Sequence, residues 1–91
     1  MANLLISYDL YRPGQNYDDV AARIKELGSW AKVQQSFWYV DSGFSAGDAA
    51  DYVREVMDTN DSLFVANATN GEAAWYNLSD KVSKFLEEHW T

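Results

Sequence analysis

The residues best suited to chemistry in this 91-residue chain lie at the end of one apolar segment and inside another. Residues 4–9 read Leu-Leu-Ile-Ser-Tyr-Asp, so Asp9 follows an apolar run just where a loop begins. Residues 32–37 read Lys-Val-Gln-Gln-Ser-Phe and place three consecutive hydrogen-bonding side chains between Val33 and Phe37. Oxygen ligands suit a hard cation such as Mg²⁺. Asp9 is therefore the only plausible catalytic residue.

Each of these residues also has a purely structural explanation. Asp9 could end the strand by hydrogen-bonding loop amides or by pairing with Arg12. Gln34, Gln35 and Ser36 could contact a ligand or phosphates, or they could satisfy each other and the backbone of a hairpin. Five aromatic residues could stack on bases, with burial in a core or a dimer as the alternative: Trp30, Trp38, Tyr39, Trp75 and Tyr76.

Other catalytic arrangements find no support in the sequence. The chain contains no cysteine, and its single histidine, His89, lies near the end of the last helical segment on its apolar stripe, which indicates packing or fraying and not a catalytic base. Sites of the Ser-His-Asp and Cys-His kinds are therefore excluded. Gly43 and Gly47 have neither the spacing nor the lysine of a phosphate-binding loop.

Composition favours a folded single domain over residues 1–91. The hydrophobic fraction is 47% and the aromatic fraction 15%, which is too apolar for a disordered chain and leaves apolar surface for a partner. The net charge of −7, from 14 acids against 7 bases, argues against binding to nucleic acid. Since no basic leader and no apolar run of membrane-spanning length is present, we expect a cytoplasmic protein without a membrane partner.

Periodicity predicts the first elements of the chain. Residues 3–8 form a continuous apolar run, which is typical of a central strand. A helix is expected to begin at the N-cap Asn16 and to end at Gly28 as its C′ residue. Residues 30–41 are rich in aromatic and β-branched types and are long for one strand. Two strands that meet in a bend near Gln35 and Ser36 are favoured, although no Asn-Gly marks a turn there.

The second half of the chain also alternates between predicted helices and strands. Ser45 is expected to cap a second helix that ends near Asn60, and residues 62–68 form the next strand. Asn70 with its following glycine is a strong turn signal, and residues 73–77 are a candidate short edge strand. A final helix with an apolar stripe runs from about Leu78 to the terminus.

This order of elements predicts an α+β fold, a ferredoxin-like βαββαβ sandwich with an extra C-terminal helix. Both main helices are expected on one side of the sheet. The other side must be closed by the C-terminal helix, by a second copy of the chain, or by both. A homodimer is therefore expected.

The motifs of the first forty residues resemble those of CRISPR-associated protein 2. The resemblance consists of Tyr8-Asp9 closing an apolar strand, a helix ending at Gly28, and the Val-Gln-Gln-Ser-Phe segment at residues 33–37. Beyond residue 40 only the order of elements is similar. SinR-like proteins, virulence-associated protein D and related toxin–antitoxin ribonucleases share the fold, and the sequence does not separate these groups.

The resemblance implies a ferredoxin-like homodimer and, for some members, a metal-dependent nuclease. The strand-end aspartate of each subunit would meet its twin across the dimer and hold Mg²⁺ or Mn²⁺, so the carried-over metal ligand and catalytic residue is Asp9. Its neighbours in the site would be Tyr8, Arg12, Ser36 and Phe37. The chain departs from the family in its acidity, in having Arg12 as the only base of the first loop, and in replacing the last strand by a helix.

Three functions are consistent with these observations. The first is a Cas2-like, divalent-metal-dependent endonuclease acting on RNA or DNA through Asp9. The second is a non-catalytic dimeric scaffold or protein-binding module. The third is an acidic protein that blocks the basic surface of a nucleic-acid-binding protein, which predicts salt-sensitive association.

Overall fold

Apolar segments separated by polar turns fold into four strands and three helices in the computed structural model, which describes residues 1–11 and 17–91. The fold is α+β, and no described helix is long and apolar enough to cross a membrane. The elements, in chain order, are β1 Ala2–Asp9, α1 Tyr17–Lys25, β2 Gly28–Gln34, β3 Phe37–Ser42, α2 Ala46–Arg54, β4 Ser62–Asn67 and α3 Asp80–His89.

The four strands form one antiparallel sheet in the order β2-β3-β1-β4. The apolar run of β1 lies in the interior of the sheet, where Leu4 stands opposite Val40 of β3 on one side and Asn67 of β4 on the other. A strand with neighbours on both sides and covered faces needs an apolar run of this kind. The predicted position of the first strand is therefore confirmed.

The first face of the sheet packs against α1 and α2 and forms the main core. Alternate residues of β1 and β3 meet the apolar stripes of both helices there. Ten buried residues make up this core: Leu4, Ile6, Tyr8, Val20, Ile24, Leu27, Trp38, Val40, Ala49 and Val53. Each large apolar side chain buried in this way stabilises the fold by about 1.5–3 kcal/mol.

The second face of the sheet is covered at one end by α3 and the C-terminal residues. Tyr39 of β3 is completely buried there. Its ring meets the edge of Phe85 at 6.2 Å and stacks on Trp90 at 5.7 Å, and Leu86 is buried beside them. The C-terminal helix thus closes this part of the second face, which was one of the three predicted ways of covering it.

A buried polar network attaches the end of the chain to the sheet. Asn3 is fully buried, and its Nδ2 donates to the backbone oxygen of Thr91 at 2.7 Å. Its Oδ1 accepts from the Thr91 amide at 3.1 Å and from the Tyr39 hydroxyl at 2.9 Å. Burial, with the Asp41 carboxylate as a smaller cause, raises the pKa of Tyr39 to about 12. The satisfied network fixes the C-terminus in place.

Gly28 does not end the first helix, which was the predicted role. The helix ends at Lys25, and Gly28 is the first residue of β2. A Cβ atom at this position would lie 2.2 Å from the backbone oxygen of Asp41 in β3. Glycine is therefore required by the close approach of two strands and not by a helix cap. The predicted N-cap at Asn16 lies outside the described residues.

Two other boundaries differ from the predictions. Residues 73–77 form no strand, because the segment instead runs to α3, where Trp75 Nε1 donates to Ser83 Oγ at 2.9 Å. The second helix ends at Arg54 and not near Asn60, since a turn follows it before β4 begins. An apolar stripe that continues past a helix end carries no boundary signal.

The predicted turns and one predicted cap are confirmed. Gln35 and Ser36 form the turn between β2 and β3, and the Ser45 hydroxyl accepts a hydrogen bond from the Asp48 amide at 3.1 Å. Asn70 takes the left-handed conformation with φ 65°, which a turn at Asn-Gly favours. These local signals correctly divide the chain into its elements.

Candidate functional site

Asp9 lies at the uncovered end of the second sheet face. It is the last residue of β1, it is exposed, and it stands opposite Ser62 of the edge strand β4. A depression of about 160 Å³ surrounds it and is also lined by Ser7, Ser62 and Phe64. The carboxylate is thus accessible to solvent and is accompanied mainly by hydroxyl groups.

Tyr8 points to the opposite face of the sheet from Asp9, because successive residues of a strand alternate. Its ring is buried in the main core beside Tyr17, with 6.3 Å between the ring centroids. Its hydroxyl accepts a hydrogen bond from Trp38 Nε1 at 3.2 Å. Tyr8 therefore supports the core beneath the candidate site, and its hydroxyl does not lie on the face of the Asp9 carboxylate.

The hairpin residues of the candidate site are connected to β1 through the backbone. The backbone oxygen of Ser36 accepts from the Tyr8 amide at 3.2 Å, and Phe37 stands opposite Ser7 in the register of β1 and β3. Phe37 is half-buried at the mouth of an apolar cavity of about 210 Å³ beneath α3 and residues 72–78. Gln34 and Gln35 are exposed, whereas Arg12 lies outside the described residues.

One chain places a single carboxylate, that of Asp9, at this end of the sheet. A cation such as Mg²⁺ or Mn²⁺ takes about six oxygen ligands and is usually held by at least one or two carboxylates. No group of three or more acidic, histidine or cysteine side chains suited to a metal occurs among residues 1–11 and 17–91. Asp9 brings one carboxylate and two neighbouring serines, so a second copy would have to supply the remaining charge.

His89 has a partner that the sequence did not reveal. Its Nδ1 lies 3.1 Å from Asp41 Oδ2, and its ring stacks on Phe85 at 4.1 Å. Of the two predicted roles, packing is the one observed, and the contact with Asp41 of β3 adds to it. The other oxygen of Asp41, Oδ1, is buried and accepts no hydrogen bond from the described part of the chain. This pair helps to hold α3 on the sheet.

The aromatic residues divide between the core and the surface. Trp38 and Tyr39 are buried, which agrees with the structural explanation of these two residues. Trp30 is 40% exposed, and Lys25 Nζ lies 4.8 Å from its ring centroid. Tyr76 is 90% exposed. Trp38 and Tyr39 are therefore not accessible for stacking on bases, whereas Trp30 and Tyr76 are exposed.

A cavity between α2 and β4 is lined in large part by acidic residues. We call it the acidic groove; its volume is about 570 Å³. Its lining residues are Ala50, Asp51, Arg54, Glu55, Met57, Asp58, Thr59, Asp61 and Leu63. The turn that returns the chain from α2 to β4 adds Asp61 to this acidic lining.

The walls of the acidic groove are held by local contacts. Asp61 Oδ1 accepts from the Tyr11 amide at 2.7 Å, and its Oδ2 accepts from the Asp58 amide at 2.8 Å. Arg23 Nη1 pairs with Glu55 Oε1 at 2.7 Å, so α1 is connected to the same rim. The groove is thus a fixed feature of the α2–β4 corner with four carboxylates and one guanidinium in its lining.

Comparison of the chain with protein-family models, with curated proteins and with solved structures gives no match. The resemblance to CRISPR-associated protein 2 consequently stays a prediction, and the geometry described above carries the functional argument.

Proposed function

We propose that this chain is a Cas2-like, ferredoxin-like domain that acts as a non-catalytic module for binding a basic protein surface. One observation carries the proposal: the acidic groove presents four carboxylates, of which Glu55 is paired with Arg23, against the one guanidinium of its lining, in a chain of net charge −7. A surface of this sign attracts lysine- and arginine-rich partners and repels phosphates. Such a module would block a nucleic-acid-binding protein by covering its basic surface.

The arrangement of the elements supports the ferredoxin-like part of the proposal. The order β-α-β-β-α-β precedes α3, and the strands lie antiparallel in the order β2-β3-β1-β4. Helices α1 and α2 pack on the same face of this sheet. This is the layered arrangement expected for two split βαβ units.

The position of α3 also favours a binding module over a site shared between two copies. Pairing of two sheets through their second faces needs an open apolar surface. In this chain α3 and Trp90 cover Tyr39 on that face. Open surface remains on that face at the end near Ser7, Phe64 and Asp9.

The binding proposal is tested with three probes that carry the same dye: a short lysine-rich peptide, a glutamate-rich peptide of equal length, and a duplex DNA. We expect the chain to bind only the lysine-rich peptide, with an affinity that falls as salt is added because the charges are exposed. Binding to DNA with no binding to the lysine-rich peptide would contradict the proposal.

A metal-dependent nuclease is the second candidate, and the exposure of Asp9 at the open end of the sheet favours it. Because one chain supplies a single carboxylate there, this function requires a homodimer. Light scattering gives the mass, and cleavage of RNA and DNA is followed with Mg²⁺ or Mn²⁺. The nuclease hypothesis expects Asp9→Ala to abolish cleavage while Glu88→Ala, an exposed acid on α3, leaves it unchanged. Cleavage that survives in both variants would rule out Asp9 as the catalytic residue.

A further inference from the structure

The two edges of the sheet are protected to different degrees. Edge strands expose unpaired backbone groups, and proteins usually guard them with lysine, proline or a bulge. Strand β2 carries Lys32 and an irregular register between Lys32 and Gln34. Strand β4 reads Ser-Leu-Phe-Val-Ala-Asn, with no charge and no proline, and its register with β1 is regular throughout. The β4 edge is therefore the less protected one.

The register identifies which backbone groups of β4 face outward. Antiparallel pairs alternate between those that exchange hydrogen bonds and those that do not. The Ala68 amide donates to the Asn3 oxygen at 2.8 Å, so the pairs Leu5–Ala66 and Ser7–Phe64 belong to the bonded set. The amides and carbonyls of the alternate residues Leu63, Val65 and Asn67 consequently point away from β1. No described strand lies on that side.

The side chains at this edge differ between the two faces. Leu63 and Val65 pack toward the main core, on the side of α2, and Leu63 also lines the acidic groove. Phe64 points to the other face and is 67% exposed. The side chains of an added strand would alternate between the two faces. Those on the α2 side would face the carboxylates of the acidic groove, and those on the other side would face the exposed ring of Phe64.

We propose that the open edge of β4 and the acidic groove bind an extended segment of a basic partner protein, which adds to the sheet as a further strand. Its basic side chains would lie toward the groove, and its apolar side chains would lie against Phe64. This inference rests on the proposed function, since both require a basic partner. Addition of a strand supplies affinity through main-chain hydrogen bonds and specificity through alternate side chains.

Charge complementarity favours an extended basic segment over a second copy of the chain at the β4 edge. Two copies would bring together two acidic grooves in chains of net charge −7 each, and like charges placed opposite each other disfavour association. A segment with alternating lysines instead neutralises the groove. The side chain of Asp51, which is exposed in the groove lining, is the most direct place to change this charge.

The test uses two dye-labelled peptides of the same composition, about eight residues long to match a strand. One alternates lysine with valine, and the other has its lysines in one block and its valines in another. Binding is measured by fluorescence anisotropy, and hydrogen exchange is followed for the amides of β4. We expect tighter binding of the alternating peptide and slower exchange at Leu63, Val65 and Asn67 when it is bound.

Two variants with matched controls locate the binding surface. Val65→Pro removes one outward amide without touching the β1–β4 bonds, and proline is tolerated at sheet edges; Val65→Thr keeps that amide. We expect Val65→Pro to weaken binding about tenfold or more, equal to about 1.4 kcal/mol, and Val65→Thr to bind like the parent chain. Asp51→Lys should reduce the affinity and its salt dependence more than Glu88→Lys, which makes the same charge change on α3.

The outcomes separate this inference from the proposed function. Equal, salt-sensitive binding of both peptides with no slowing of exchange in β4 would overturn the edge site and leave the proposed function intact. No binding of either peptide in low salt would overturn both. Slow exchange at the three amides without peptide, together with a dimer mass, would show that a second copy occupies the edge and would overturn the inference. The exchange measurement on the parent chain decides the matter even if Val65→Pro fails to fold.

Discussion

Two glycines of this chain should respond in opposite ways to the same chemical change. At Gly28, at the start of β2, an added Cβ would lie 2.2 Å from the Asp41 oxygen, well below the 3.0 Å limit of real Cβ contacts. At Gly47, in the first turn of α2, an added Cβ meets nothing within 4 Å. We therefore expect Gly28→Ala to destabilise the fold and Gly47→Ala to stabilise it.

The size of each effect follows from what surrounds the new methyl group. At Gly28 the obstacle is backbone, so β2 and β3 must move apart, and overpacking of this kind costs about 1–3 kcal/mol. The movement also strains the buried hydrogen bond of 2.7 Å from Ser42 Oγ to the Leu27 oxygen, which contributes about 1 kcal/mol. A total loss of about 2–4 kcal/mol is expected. Gly47→Ala should gain about 0.5 kcal/mol, because alanine favours the helix and loses less backbone entropy.

Urea unfolding followed by tryptophan fluorescence measures both changes. The midpoints should move in opposite directions with an unchanged m value, which indicates that the same surface is exposed on unfolding. For a domain of this size, each kcal/mol lost lowers the melting temperature by about 4–8 °C. A Gly28→Ala variant as stable as Gly47→Ala would refute the close approach of β2 to β3 at this position.

Two further predictions concern α3 and its attachment to the sheet. Tyr39→Phe should lower the free energy of unfolding by about 1–2 kcal/mol, because Asn3 Oδ1 and the backbone oxygen of His89 each lose one hydrogen-bond donor. Tyr76→Phe, at a site 90% exposed, should change it by less than about 0.5 kcal/mol. Since the pKa of Tyr39 is raised from 10.0 to about 12, its contribution is complete below pH 10.0 and declines as the pH rises toward 12. Urea unfolding at a series of pH values should show a smaller alkaline loss in Tyr39→Phe; an equal loss would contradict the assignment. Ser79→Ala removes the hydroxyl that caps α3 at 3.2 Å and should cost about 1 kcal/mol in the same assay; an unchanged midpoint would show that the cap contributes nothing.

Local signals account for the elements that the sequence predicted correctly. The apolar run before Asp9, the Ser45 cap and the turn at Asn70 each depend on residues close together in the chain. The bend at Gln35 and Ser36 was predicted from the length of the segment alone. Ser79 is a cap of the same kind, and the same rule applied to the last helix would have found it.

The candidate sites depend less on local signals. The position of Asp9 at a strand end follows from the apolar run that precedes it. Tyr8 points to the opposite face of β1, so its hydroxyl bonds to Trp38 in the core and does not lie beside the Asp9 carboxylate. The contact of His89 with Asp41 joins residues 48 positions apart, and no pattern along the chain relates them. Contacts of this range become visible only when the strands have been placed.

Periodicity, caps and charge are properties of neighbouring residues, so they predict the α+β class, the number of main strands and the acidic character of the chain. The folded chain is needed to show that Gly28 serves strand packing, that α3 covers Tyr39, and that no described strand pairs with the outer edge of β4 beside the acidic groove. The burial of a residue and the position of a strand at a sheet edge depend on which distant segments come into contact on folding. These contacts are set by the free energy of the whole packed chain.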